Sequence, residues 1–116
     1  MGRPRPLKGQ TRSMSYLLKF IQQYQPSAGR VFLELEGQFQ ELERNSPHLP
    51  QGRRYQPISG GEPTNTLIWE CECASLAEVE EALKKLADEP MHTVLCEQQS
   101  PYLLKSHTEI YKVLDL

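Results

Sequence analysis

The sequence predicts an α+β domain whose elements follow the order strand, helix, strand, strand, helix, strand. Two stretches carry apolar residues at helical spacing, and four carry the alternation or the apolar density of strands. A chain of 116 residues holds one core only, because separate cores arise at roughly 250–300 residues. With 38% hydrophobic and 24% charged residues, the composition is typical of a soluble globular domain.

The first half of the domain is predicted to contain a strand, a helix and a weak strand. Residues 16–24 have the pattern of a strand, which ends at a break over residues 26–29. The helix that follows has an apolar stripe of Val31, Phe32, Leu35, Phe39 and Leu42. Its charged residues are predicted on the solvent side: Glu34, Glu36, Glu41, Glu43 and Arg44. Residues 53–59 predict a weak strand, which Pro57 confines to a sheet edge or a short piece.

The second half begins with the clearest strand pattern, over residues 66–73. Leu67, Trp69, Cys71 and Cys73 are predicted on one face, and Thr66, Ile68, Glu70 and Glu72 on the other. Ser75 and Glu78 have the spacing of a capping box, which predicts the start of a helix. The stripe of this helix is Leu76, Val79, Ala82, Leu83 and Leu86. Pro90 is predicted to open a further helix, and residues 107–114 are predicted to form the last strand.

This order of elements is that of a split βαβ arrangement, a four-stranded antiparallel sheet with helices on one face. Three of the strands nevertheless carry large apolar residues on both parities. A monomer would therefore leave an apolar sheet face open to water, which soluble monomers rarely tolerate. We expect the chain to form a homodimer that packs sheet against sheet about a two-fold axis.

Three segments carry a resemblance to a known family. They are the run 64–78 around Trp69-Glu70 and Ser75-Leu76, the segment 88–92 (Asp-Glu-Pro-Met-His) and the terminal segment 108–111 (Thr-Glu-Ile-Tyr). Together they resemble NIPSNAP-like proteins of the dimeric α+β barrel superfamily. The resemblance implies that residues 14–116 form one ferredoxin-like domain, that two copies complete a barrel, and that a cleft lies between sheet and helices. It implies no particular reaction, since that superfamily includes metal-independent monooxygenases, isomerases, haem-handling enzymes and noncatalytic sensors.

Residues 1–13 differ from the rest of the chain in composition. They hold Arg3, Arg5, Lys8 and Arg12 and no acidic residue, whereas the other nine basic residues are set against all fifteen acids. The overall charge of −2 thus combines a +4 segment with a −6 domain. With two Pro, two Gly and one aliphatic residue, residues 1–13 are predicted to be a disordered basic tail. Either the tail contacts phosphate or an acidic partner, or it is a dispensable extension before Met14.

Charge and hydropathy argue against two classes of partner. The net charge of −2 is unlike that of a nucleic-acid binder. No apolar run approaches the ~20 residues of a bilayer span, and the start of the chain has no signal-peptide core. We expect a cytoplasmic protein with no nucleic-acid or membrane partner.

Charged and aromatic residues on the predicted strands are the candidate functional groups. Glu70 and Glu72 share a strand face. Either they form a polar pocket with acid/base character, or they form ion pairs at an interface or rim with Arg53 and Arg54. His107 is predicted at the start of the last strand, near a cleft mouth, with a catalytic or a surface role. The candidate catalytic residues are Glu70, Glu72, His107 and Tyr111. The candidate ligand-binding residues are Tyr16, Phe20, Arg54, Glu70, Glu72 and Tyr111.

The cysteines and histidines lack the spacing of a known metal or catalytic motif. Cys71 and Cys73 lie two residues apart on a strand, too far apart for a comfortable disulfide, and there is no C-x-x-C or H-x-x-x-H pair. They are predicted to be small buried hydrophobic residues, and no metal or cofactor is expected. His92 and Cys96 are four residues apart on a predicted helix, which permits contact but is common by chance.

Three functional hypotheses remain. The first is a homodimer that binds a small hydrophobic or aromatic molecule. The second is a cofactor-independent monooxygenase or isomerase that acts on such a molecule. The third is a structural or interaction dimer without a ligand. A cleft larger than ~300 Å³ with convergent polar groups would favour a ligand site over a filled core.

Overall fold

The computed structural model describes residues 15–116 and contains one antiparallel sheet of four strands. The strands are β1 (Tyr16–Tyr24), β2 (Arg53–Tyr55), β3 (Thr66–Cys73) and β4 (Leu103–Lys112). They lie in the order β2-β3-β1-β4, so that β1 pairs with both β3 and β4. The α+β class and the predicted βαββαβ order are confirmed. The tail predicted over residues 1–13 lies outside the described residues.

Within residues 15–116, three helices accompany the sheet: α1 (Gly29–Asn45), α2 (Leu76–Asp88) and α3 (Pro90–Gln99), with 3-10 turns at Pro26–Ala28 and Ser100–Tyr102. The predicted cap of α2 is present, since the backbone N–H of Glu78 donates to Ser75 Oγ at 3.1 Å. Pro90 is the first residue of α3, where its missing N–H costs nothing. None of the helices in residues 15–116 is long and apolar enough to cross a membrane.

The core lies between the sheet and the helices. Leu18, Trp69 and Cys71 from the sheet pack with Val79 and Leu86 of α2. A smaller cluster at the other end of the sheet contains Tyr24, Phe32 and Leu67. The side chain of Trp69 is buried and its ring stacks on Phe20 with centroids 4.9 Å apart. Trp69 therefore contributes to the core, as its strand parity predicts.

The last strand begins four residues earlier than the sequence predicts. Pairing with β1 starts at Tyr24 opposite Leu103, immediately after the 3-10 turn, and a register shift follows between Gln23 and Tyr24. The polar residues of 105–108 conceal this start, because they have no apolar alternation. His107 consequently lies in the middle of β4, opposite Ile21, and not at the start of a strand.

Helix α1 differs from its prediction on one side. Glu36 and Glu43 were expected to face solvent, but each is only 6% exposed. They continue the inward stripe of Phe32 and Phe39 at steps of three and four residues, which places all four side chains toward the sheet. The prediction was wrong because a basic residue on β2 supplies the partner that buried carboxylates require.

Candidate functional site

A cleft lies between the sheet and helices α1, α2 and α3. Its inner part is a chamber of about 150 Å³, and its outer part is an open groove of about 840 Å³. The residues that line both parts are Phe20, Gln22, Leu86, His92, Cys96 and Gln99. Because the two parts share these walls, we treat them as one site and call it the cleft.

The floor of the inner chamber is a buried ion cluster formed by Glu36, Glu43 and Arg54. The guanidinium of Arg54 donates from Nε to Glu36 Oε2 at 2.8 Å. It also donates from Nη1 and Nη2 to the two carboxylate oxygens of Glu43, at 3.1 Å and 2.6 Å. One guanidinium thus bridges two carboxylates of the same helix with the fork geometry that only arginine offers.

Neighbouring groups donate further hydrogen bonds to the carboxylate oxygens of Glu36 and Glu43. Trp69 Nε1 donates to Glu43 Oε2 at 3.1 Å, and the backbone N–H of Gly52 donates to Glu43 Oε1 at 3.0 Å. Gln99 Nε2 donates to Glu36 Oε1 at 3.0 Å. With these bonds the cluster meets the requirement that buried charges be paired and hydrogen-bonded.

The positive charge of Arg54 is fully engaged by the two carboxylates of the cluster. Burial by itself lowers the pKa of Arg54, but its hydrogen bonds and charge interactions with Glu43 and Glu36 outweigh burial and raise that pKa above its usual value. Arg54 is therefore a permanent cation. With two carboxylates against one guanidinium, the ionised cluster carries a net charge of −1.

The wall of the cleft on α3 carries His92 and Cys96. The imidazole of His92 meets the ring of Phe39 edge-on at 5.0 Å, and its Nδ1 lies 3.6 Å from Cys96 Sγ. Burial lowers the pKa of His92, although nearby carboxylates oppose this shift. Burial also raises the pKa of Cys96. The pair therefore consists of a neutral imidazole and a protonated thiol at neutral pH, which is unlike an activated thiolate nucleophile.

A second polar cluster lies on the sheet face away from the helices, which we call the open face. Glu109 accepts hydrogen bonds from His107 Nε2 at 2.8 Å and from Tyr111 Oη at 2.6 Å. Lys19 Nζ lies 3.6 Å from Glu70 Oε1 and 4.6 Å from the centre of the Tyr111 ring. The hydrogen bonds from Tyr111 and His107 lower the pKa of Glu109.

The structure divides the predicted site residues between the two sheet faces. Phe20 and Arg54 line the cleft, and Tyr16 packs against the same core. The residues on the open face are Glu70, Glu72, His107 and Tyr111. The sheet separates the two sets because successive strand residues alternate between its faces. Glu70 lies beside Lys19, whereas Arg54 of the expected arginine pair engages Glu36 and Glu43 on the other side of the sheet.

Three residues of the cleft were missed by the sequence prediction: Glu36, Glu43 and Gln99. The first two are in phase with Phe32 and Phe39 on α1, a signal that the sequence contains. Gln99 is buried at the last residue of α3, where it donates to the Phe32 carbonyl as well as to Glu36. No local pattern marks such a contact between distant helices.

Comparisons with solved structures show the same fold. A NIPSNAP family protein from Agrobacterium tumefaciens str. C58 matches with a TM-score of 0.74 and 18% identity over 91% of each chain. An uncharacterized NIPSNAP domain protein from Burkholderia xenovorans matches with a TM-score of 0.68 and 14% identity over 87% of this chain and 94% of that one. A putative antibiotic biosynthesis monooxygenase from Nitrosomonas europaea matches with a TM-score of 0.66 and 8% identity over 90% and 95%.

The fold is therefore that of the α+β proteins to which the NIPSNAP structures belong. The resemblance carried by the Trp69 strand, the α2 start and the terminal strand is confirmed at the level of the fold. No family model matches the sequence, and no curated protein matches it. The chemistry of the site must consequently be argued from its own residues.

Proposed function

We propose that this NIPSNAP-like chain binds a small, uncharged, hydrophobic or aromatic molecule in the cleft. The observation that carries the proposal is an open groove of about 840 Å³ that leads to a chamber with aromatic walls and a fully paired polar floor. Phe20, Phe39 and Trp69 provide the aromatic walls. A mostly apolar concavity with a few fixed polar groups is the usual form of a small-molecule site.

The charges around the cleft support an uncharged ligand. Among the described lining residues, Arg54 is the one permanent cation, and both Glu36 and Glu43 already engage it. Burial keeps His92 neutral, so it offers no positive charge either. A buried anion would therefore meet a net charge of −1 without a counter-ion, which is costly in a low-dielectric site.

We also propose that two copies pack through the open face. This face carries Leu17, Ile21 and Ile68 at its centre, and it leaves Tyr55 and Tyr111 each more than 40% exposed in a single chain. The polar cluster around Glu109 would then lie within the interface, where its internal hydrogen bonds lower the cost of burial. Two-fold symmetry would place the cleft of each copy on the outside of the shared barrel.

Cofactor-independent oxygenation or isomerisation of the bound molecule is the second candidate function. The shared fold of the putative antibiotic biosynthesis monooxygenase from Nitrosomonas europaea supports it. His92 is the described titratable group best placed to move a proton there, because it lines both parts of the cleft in its neutral form.

The test combines native mass spectrometry with a matched ligand pair. Freshly purified chain is first examined for a co-purified molecule. Quenching of Trp69 fluorescence is then measured with 2-naphthol and with 2-naphthoate, which differ mainly in charge. We expect 2-naphthol to bind at least tenfold more tightly, and Phe20→Ala to weaken it, while the exposed variant Leu33→Ala leaves it unchanged.

Each outcome assigns a function. Binding without turnover supports the ligand-binding protein, and oxygen-dependent conversion of the ligand supports the enzyme. Absence of both a co-purified molecule and of binding would leave the structural dimer as the remaining hypothesis.

A further inference from the structure

The side-chain amide of Gln99 keeps one hydrogen-bonding group unused. Its Nε2 donates to the carbonyl of Phe32 at 3.2 Å and to Glu36 Oε1 at 3.0 Å. A carbonyl and an ion-paired carboxylate only accept hydrogen bonds, so the amide nitrogen, and not its oxygen, must face these two partners. Both N–H groups of the amide are therefore engaged, and its oxygen Oε1 is the group that remains.

The unused oxygen of Gln99 is reached from the cleft. Among residues 15–116, Oε1 has no donor, and Thr66 Oγ1 is the one fully enclosed side-chain oxygen or nitrogen without a partner. Gln99 Oε1 is therefore not fully enclosed, although the residue is only 4% exposed. Its side chain lines both the inner chamber and the outer groove, so Oε1 presents a hydrogen-bond acceptor where the two parts of the cleft meet.

Gln99 differs from the other polar side chains that line both parts of the cleft, because its hydrogen-bonding role is fixed. Gln22 lies opposite Leu67, on the helix side of the sheet, and its side-chain amide has no hydrogen-bond partner in the described part of the chain. A free amide can donate as well as accept, and so can the neutral imidazole of His92. Gln99 Oε1 can only accept. It therefore sets the kind of group that a ligand must place beside it.

The partners of Gln99 both strengthen this acceptor and hold it in place. Glu36 accepts from Arg54 Nε at 2.8 Å, which links the amide of Gln99 to the buried ion cluster. Donation from an amide N–H to a carboxylate shifts electron density toward the amide oxygen, so Oε1 becomes a better acceptor. Two hydrogen bonds from one nitrogen also fix the plane of the amide. Little side-chain freedom is therefore lost when a ligand binds there.

We propose that Gln99 determines which molecules the cleft accepts: the bound molecule carries an uncharged O–H or N–H group that donates to Gln99 Oε1. This inference rests on the proposed function of the cleft and adds a requirement on its ligand. A molecule without such a donor would cover Oε1 with apolar atoms, and a buried acceptor that is left without a donor is unfavourable. Gln99 is thus a specificity-determining residue of the cleft.

The test compares three molecules with the same ring system by titration calorimetry on the full chain. 2-Naphthol carries the donor, 2-methoxynaphthalene replaces it with an ether oxygen that only accepts, and naphthalene has no polar group. We expect 2-naphthol to bind about three- to tenfold more tightly than either of the others, the range that one net hydrogen bond produces. If either donor-free molecule binds as tightly as 2-naphthol, the role of Gln99 is overturned and the proposed function stands. If none of the three binds, both are overturned.

The variant Gln99→Met tests whether the preference comes from this residue, because methionine has nearly the length of glutamine and no amide. We expect 2-naphthol and 2-methoxynaphthalene to bind this variant within about twofold of each other, since neither can then donate to residue 99. Gln98→Met, at an exposed neighbouring position, is the matched control and should keep the preference of the unmodified chain. A preference that survives Gln99→Met, or that disappears in Gln98→Met, would contradict the proposal.

A second measurement, on the unmodified chain, covers the case in which Gln99→Met does not fold. A hydrogen bond to an amide oxygen deshields the nitrogen of the same amide, because it draws electron density toward the oxygen. At saturation, the side-chain ¹⁵N signal of Gln99 should therefore move further downfield with 2-naphthol than with 2-methoxynaphthalene. The side-chain signal of Gln98 should show no such difference. Equal shifts of the Gln99 signal with the two ligands would refute the hydrogen bond.

Discussion

Arg54 on the edge strand donates two parallel hydrogen bonds to Glu43 on helix α1, from Nη1 to Oε1 at 3.1 Å and from Nη2 to Oε2 at 2.6 Å. The two side chains are 11% and 7% exposed. Strand β2 has only three residues and pairs with β3 alone. The buried pair therefore connects a short edge strand to the helix that covers it, and at the same time closes the floor of the cleft.

Arg54→Met should destabilise the protein by about 3–5 kcal/mol, because it leaves two buried carboxylates without their cation. Urea unfolding followed by circular dichroism measures this loss. The matched control is Arg44→Met, since Arg44 pairs with Glu41 at 3.7 Å on the exposed side of the same helix. An exposed pair contributes about 1 kcal/mol at most. Equal losses in the two variants would show that the buried cluster does not stabilise the fold.

Gly52→Ala should displace the Trp69 ring. A Cβ at residue 52 would lie 1.9 Å from Trp69 Nε1, a distance that forces the ring or the start of β2 to move. We expect a red-shifted Trp69 emission and weaker binding of 2-naphthol. Gly37→Ala is the control, because a Cβ there meets nothing within 4 Å in the middle of α1. That change should stabilise the helix by roughly 0.5–1 kcal/mol, with unchanged emission.

His92 should make the protein less stable in acid. Its pKa is lowered in the folded state, chiefly by burial, whereas the unfolded chain has the ordinary value of about 6.5. The unfolded state therefore binds more protons as the pH falls below about 6.5, and stability is lost down to the folded-state pKa. Urea unfolding at pH 7.5 and pH 5 should show a smaller acid loss for His92→Gln than for Val94→Ala, an exposed neighbour on α3. Equal losses would contradict this origin.

Ile68→Lys should split the proposed dimer. Ile68 lies opposite Ile21 in β1 and Tyr55 in β2, at the centre of the open face, where a lysine from each copy would be buried without a partner. Light scattering at micromolar concentration should give twice the chain mass for the natural sequence and the single mass for the variant. Leu33→Lys, at an exposed position of α1, should keep the dimer. A single mass for the natural sequence would refute the dimer directly.

Local signals predicted most of the secondary structure. These signals are the cap at Ser75, Pro90 at a helix start and the alternation around Trp69. Each depends on residues that are close together in the sequence, so it can be recognised without knowledge of the rest of the fold. The predicted last strand is shorter than β4 because the first half of β4 is polar. Pairing with β1 is what makes that half a strand.

The candidate site was predicted less well, for a physical reason. Alternation shows that Glu70 and Tyr111 can share a face, and that Phe20 and Trp69 can share the other, but it does not say which face encloses a cleft. The packing of α1 and α3 decides this. It brings Glu36 and Glu43 to Arg54 across 18 and 11 residues, and Gln99 to Glu36 across 63 residues. The sequence by itself determined the elements and their order, through interactions between near neighbours. Only the tertiary structure decided where charge is buried, because a carboxylate enters the core only when a distant chain segment supplies its counter-ion.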